Sequence, residues 1–190
     1  MPLTTYTAGE VLTAASLNAN LSFAASSPAG GLTLISSTTI GTAVGFETVT
    51  GAFSSTYDNY KIIVSGGSAS TAAQFGLKFG STATGYYAGI TQVTYSSAAG
   101  ASFADNNASS FGGIGYGNTN GLVATIEVTS PNLAKNTFVA SSFARNATTA
   151  QSVVYNGFLN DTTQYTAFTI TPASGTFTGG TIKVYGYANS

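Results

Sequence analysis

The 190-residue chain has no cysteine, no histidine and no tryptophan, and only 6% of its residues carry a charge. Each absence removes a class of chemistry. Without cysteine or histidine there is no thiolate nucleophile, no imidazole base, no structural zinc site and no disulfide framework. An average soluble domain is about a quarter Asp, Glu, Lys and Arg, so solubility here has to rest on other groups. Six acids against five bases give a net charge of -1, and the bases Lys61, Lys78, Lys135, Arg145 and Lys183 lie far apart in sequence. No electrostatic footprint for DNA or RNA results, and no nucleic-acid partner is expected. No run approaches the ~20 apolar residues of a membrane span, and the opening residues lack a basic region followed by an apolar core. Neither membrane insertion nor a secretory signal is expected.

What is present is hydroxyl and aromatic. The chain has 30 Thr, 23 Ser and 23 Gly, with 43% hydrophobic and 12% aromatic residues, the latter being 11 Tyr and 12 Phe. Thr is a strong strand former, and Tyr and Phe supply large buried area. Disorder calls for few aromatics and high net charge, so a folded domain follows. At this length one domain with a small appendage is the default. A surface so weakly charged also leaves little to keep copies apart, which favours an oligomer or a part of a larger assembly.

Along the chain the first 25 residues differ from the rest. Thr7, Ala8, Gly9 and Glu10 have capping-box spacing, and Val11, Leu12, Ala15, Leu17, Leu21 and Phe23 follow with partly helical spacing. One or two helical turns are expected there, then a Ser-Pro-Gly linker over 26–31. From residue 32 to 190 the pattern has period two. Ten strands are expected, over 32–40, 45–53, 60–65, 74–79, 86–95, 122–128, 136–143, 152–158, 165–171 and 181–187, punctuated by Gly, Ser and Asn clusters. The fold expectation is therefore all-β: an antiparallel β-sandwich, jelly-roll-like, with a short N-terminal helical anchor segment. Residues 96–121, SSAAGASFADNNASSFGGIGYGNTNG, are the least regular. They read either as a long surface interaction loop with Phe103, Asp105, Phe111 and Tyr116 as its contacts, or as a pair of poorly patterned strands.

The carboxylates Glu10, Glu47, Asp58, Asp105, Glu127 and Asp161 are the remaining catalytic candidates. Glycoside hydrolysis needs two of them facing across a cleft, which only the fold could arrange. Asp58 and Asp161 sit in turn contexts, where the side chain usually caps its own backbone. Asp105, Asn106 and Asn107 offer oxygen ligands without the alternating acid spacing of a calcium loop. The glycines of residues 111–117 lack the following helix and lysine of a phosphate loop. Tyr86, Tyr87, Tyr95, Tyr185 and Tyr187 read as core or subunit interface ahead of a sugar platform. No cofactor, metal or catalytic residue is expected, and the protein reads as a non-enzyme.

Three segments carry a resemblance. Residues 5–21, TYTAGEVLTAASLNANL, are similar to the opening of many bacteriophage tail, fibre and appendage subunits. Residues 57–66, YDNYKIIVSG, and 177–187, FTGGTIKVYGY, resemble strands of small phage β-sandwich modules. The resemblance implies a virion structural protein, made in the host cytoplasm and displayed on the particle surface as a fibre, tail appendage or capsid decoration. Its anchor would be Thr7, Ala8, Gly9, Glu10, Val11, Leu12, Thr13, Leu17, Asn18 and Leu21. Partners implied are further copies, as a homotrimer, and other virion proteins of the capsid, neck or tail. A second reading is a receptor- or glycan-binding module with a host cell-surface glycan as partner, and a third is a two-carboxylate hydrolase.

Overall fold

A computed structural model describes residues 8–9, 11, 13–18 and 31–189. The chain divides into two compact units, Met1–Gly31 and Leu32–Ser190. In the first, residues 14–18 form a short helical turn. Thr13 caps it: its Oγ1 accepts the Ser16 N–H at 3.2 Å, and its carbonyl accepts the Leu17 N–H at 3.0 Å. A Ser, Thr, Asp or Asn side chain at this place satisfies a backbone donor that the helix itself cannot. The capping pair expected at Thr7 and Glu10 lies outside the described residues.

The second unit is all-β and antiparallel. Its strands are β1 (Leu32–Thr39), β2 (Glu47–Val49), β3 (Asn59–Gly66), β4 (Ser68–Ala69), β5 (Ala73–Phe79), β6 (Tyr86–Thr94), β7 (Gly100–Ala108), β8 (Phe111–Asn118), β9 (Gly121–Thr129), β10 (Thr137–Arg145), β11 (Gln151–Leu159), β12 (Phe168–Pro172), β13 (Phe177–Thr178) and β14 (Thr181–Tyr187). Two hydrogen-bonded ladders meet on β9. One runs β1-β14-β3-β9-β10-β11-β6-β7 and the other β9-β8-β5-β12-β2, while β4 and β13 form a small separate pair. β9 pairs β3 along its whole length, but on its other edge it pairs β8 only over residues 121–123 and β10 from Ile126 onward. The chain thus opens at β9 into two layers that face each other, a sandwich-like arrangement.

Aromatic side chains fill the space between the layers. The Phe111 ring of β8 meets Tyr86 of β6, Phe79 of β5 and Tyr155 of β11, all edge-on where they cross, at centroid distances of 4.9, 6.2 and 6.1 Å. Phe53 meets Tyr60 edge-on and packs at a tilt on Phe79 and Phe168. Edge-to-face pairs of this kind add to the area they bury because the positive ring edge meets the negative face. Polar ties also cross the layers: the Ser141 hydroxyl donates to the Ile114 carbonyl at 2.8 Å, and the Tyr86 hydroxyl accepts the Phe79 N–H at 2.9 Å. No helix among the described residues is long and apolar enough to cross a membrane.

Among the described residues fourteen strands replace the ten expected, and one difference bears on function. Residues 96–121 are not a loop: they are β7, paired to β6, and β8, held between β5 and β9. Small residues with weak strand propensity become strands here because neighbouring ladders supply their pairing. Phe111 and Tyr116 are 0% and 2% exposed, so as surface contacts they are corrected to core residues. Two short strands also fall inside what read as longer ones, since Glu47–Val49 is all that pairs of 45–53 and β12 begins at Phe168.

Candidate functional site

Strand parity decides which side chains point between the layers. On β6 the inward set is Tyr86, Ala88, Ile90 and Gln92, and the register carries it across to Tyr155, Val153 and Gln151 on β11, then to Ser141, Phe143 and Arg145 on β10. On the other side it reaches Asp105 and Phe103 of β7. At one end of the layer this inward face changes from apolar to polar. That end carries the connections 95–99 and 146–150, and it opens into a groove of about 540 Å3. Gln74, Gln92, Asp105, Arg145 and Gln151 line it together with Ile90, Phe103 and the backbone of Gly112 and Gly113.

The floor is made by an irregularity in β8. Phe75 pairs with Gly115 and Leu77 with Phe111, so three residues of β8 oppose the single Gly76 of β5. The bulge brings the Gly113 backbone against the Gln74 amide, where an added Cβ would sit 3.2 Å from Nε2. Bulges of this kind re-aim side chains and occur preferentially beside functional sites. Beneath, Ile90 packs on a small satellite core of Tyr116, Phe143 and Val153.

The polar groups of the groove are incompletely paired. Gln74 Nε2, Arg145 Nε and Gln151 Oε1 are buried and have no hydrogen-bond partner among the described residues. Gln151 donates from Nε2 to Thr94 Oγ1 at 3.3 Å, which leaves its carbonyl end directed elsewhere. Gln92 is 7% exposed, an unusual burial for a glutamine. Asp105 is better held: its Oδ2 accepts the Tyr155 hydroxyl at 2.5 Å and the Gly112 N–H at 3.2 Å. Burial, and then this hydrogen bond to Asp105, push the Tyr155 hydroxyl far above its ordinary pKa, so it remains a donor. Phe103 stands at the rim, 55% exposed. A buried polar atom left unpaired costs about 1–3 kcal/mol, and three of the six such side-chain atoms among the described residues belong to residues that line this groove.

Asp161 and Glu127 are occupied locally, whereas no side-chain partner among the described residues holds Glu47 or Asp58. Asp161 Oδ1 accepts the Thr163 N–H at 2.9 Å, the turn-capping role read from sequence, and Oδ2 accepts the Tyr165 hydroxyl at 2.6 Å. Glu127 pairs with Lys61 at 2.8 Å and accepts the Tyr187 hydroxyl at 2.8 Å. Asp105, Glu127 and Asp161 thus each hold a tyrosine of their own. No groove described on the β-unit is lined by two carboxylates among the described residues.

Of the expected anchor residues, Ala8 and Gly9 lie in an exposed turn, Val11 and Leu17 are exposed at 81% and 42%, and Thr13 and Asn18 flank or end the helical turn. Thr7, Glu10, Leu12 and Leu21 lie outside the described residues. Of the four expected contacts in 96–121, Phe103 and Asp105 come together in the groove and Phe111 and Tyr116 do not. Gln74, Gln92, Arg145 and Gln151 were not singled out by the sequence. Gln92 carried a signal, a glutamine at a position where the alternation Tyr86, Ala88, Ile90 asks for an apolar residue.

A second surface lies on the outer face of β10, β11, β6 and β7. Phe138, Phe158 and Tyr87 occupy one register line across three strands, with Tyr87 stacked on Phe158 at 5.2 Å and Phe138 6.2 Å from Phe158. Val154 and Val93 extend it, 45% and 41% exposed. The other outward residues there are Ala, Ser, Thr, Gly and Asn, so this four-strand face carries no charge. Comparison of the chain with protein-family models, with curated proteins and with solved structures finds no match.

Proposed function

We propose that this chain is a non-enzymatic structural protein of a bacteriophage virion, held to the particle by its first 25 residues and displaying the β-unit on the particle surface. The observation that carries the reading is the charge-free outer face of β10, β11, β6 and β7 with its row Tyr87, Phe158 and Phe138. A subunit built to be repeated needs a surface that can be buried between copies without desolvating charge, and this face meets that need. Exposed aromatic and β-branched residues in a contiguous patch mark interaction sites on otherwise polar surfaces.

Two further features support it. The opening residues 5–21 are similar to those of phage tail and appendage subunits, and that resemblance brings with it a short N-terminal anchor, an outward β-domain and a copy number of three, to which the strand pattern adds a jelly-roll-like topology and the capping spacing a helical anchor. Asp105, Glu127 and Asp161 are engaged by tyrosine and lysine partners instead of being poised in pairs, which leaves them little for general acid–base work.

Deleting residues 1–25 tests the anchor. The truncated chain is expected to keep the circular dichroism and melting of the β-unit while disappearing from purified particles. A truncated chain that still loads onto particles at the level of the intact one contradicts the anchoring role.

A further inference from the structure

We propose that the groove between the layers, at the end carrying the connections 95–99 and 146–150, is a binding site for an uncharged saccharide. This goes beyond the structural role proposed above and stands without it.

The ligand class follows from the kinds of group that converge. Arg145 and Gln74 bring N–H donors to the groove and Gln151 Oε1 can only accept. Arg145 Nε, Gln74 Nε2 and Gln151 Oε1 are three of the six buried side-chain atoms without a partner among the described residues. Asp105 adds acceptor capacity, since both its protein partners meet the same oxygen, Oδ2, and Oδ1 is left for another donor. A ring bearing several hydroxyls donates and accepts at every position and can satisfy donors and acceptors a few ångströms apart. Few other small ligands do so without a charge. The one cation and the one anion of the groove, Arg145 and Asp105, are not in ion-pair contact and offset one another, which argues for an uncharged ligand. Phe103 at the rim supplies a flat apolar face for the C–H face of a sugar ring. The volume, about 540 Å3, is on the scale of a small-molecule site. One part is in place beforehand: Tyr155 and the Gly112 N–H fix the Asp105 carboxylate.

The test is saturation-transfer NMR on the intact chain with the methyl glycosides of glucose, galactose and N-acetylglucosamine, with a methyl glucuronide as competitor. At least one of the three is expected to receive saturation, and on titration the backbone amide shifts should cluster at Gly112, Gly113 and Gln151. Phe103→Ala removes the exposed ring and Arg145→Met keeps the alkyl stem while removing the donors. Each is expected to weaken binding by about tenfold or more, as loss of a central contact does. Phe138→Ala, on the opposite face, is expected to leave binding unchanged. Saturation of none of the three glycosides, shifts clustered away from the groove, or binding indifferent to both Phe103→Ala and Arg145→Met overturns the proposal. Loss of binding on Phe138→Ala moves the site to the outer aromatic row and overturns it too. A glucuronide that outcompetes all three contradicts the choice of an uncharged ring. The shift map needs no variant, so the proposal can fail even if a substitution unfolds the chain.

Discussion

Phe111 concentrates more of the fold than any neighbour in sequence suggests. It lies in a stretch of glycine, serine and asparagine, yet its ring is fully buried and touches rings from three other strands in both layers. Phe111→Ala is expected to cost about 3–5 kcal/mol in chemical denaturation, the range for deleting a buried aromatic ring whose cavity cannot collapse. Phe103, eight residues earlier and 55% exposed, should cost far less when truncated. Asp161 makes a different prediction. The Tyr165 hydroxyl, followed by the Thr163 N–H, lowers its pKa from 3.8 to about 2. A carboxyl depressed on folding adds stability that is fully present above its unfolded value and is lost as the pH falls toward the folded one. Melting temperature should therefore drop between about pH 4 and pH 2, and Asp161→Asn should flatten that part of the profile while leaving the slope above pH 5 as it was. An unchanged acid limb in the variant would show that other carboxylates govern it.

Among the elements, those legible in the sequence are the ones that bury a regular alternation. β3 (NYKIIVSG), β9 (GLVATIEVT) and β14 (TIKVYGY) alternate cleanly and appear where the period-two pattern puts them. β7 and β8 were open between loop and strand because their inward positions are filled by Gly, Ala and single aromatics, which carry no period. Their strand character comes from partners distant in sequence, β6 for one and β5 with β9 for the other. The groove was less legible still. Its residues come from six strands, and only the register of β10, β11 and β6 brings Arg145, Gln151 and Gln92 into line. The outer face of the same strands makes the prediction at this scale. Val154 is half-exposed on the uncharged four-strand face, in a groove whose far side is the Lys61–Glu127 pair, so a lysine there meets water in a single copy and an apolar neighbour in an assembled one. Val154→Lys is expected to keep the melting temperature of the monomer within a few degrees and to shift sedimentation from oligomer to single chain. If the intact protein already sediments as a single chain at high concentration, self-association through this face is wrong.

For the whole molecule, the low charge explains the division of surfaces. With six acids, five bases and a net charge of -1, and one of those acids paired to Lys61, little charge is left to repel another copy. Hydroxyl and amide groups carry solubility, an uncharged aromatic row offers contact, and the polar groove sits on the inward side of the same four strands. The two faces of one sheet can thus serve assembly and recognition without competing. The central claim is that the chain is a repeated part of a virion. Electron cryo-microscopy of purified particles of a phage whose genome encodes the chain, with the chain identified by mass spectrometry, tests this most directly. The expected result is ordered density for the β-unit in several symmetry-related copies on the particle surface, with the row Tyr87, Phe158 and Phe138 buried between copies. Purified particles that lack the chain altogether would contradict the account.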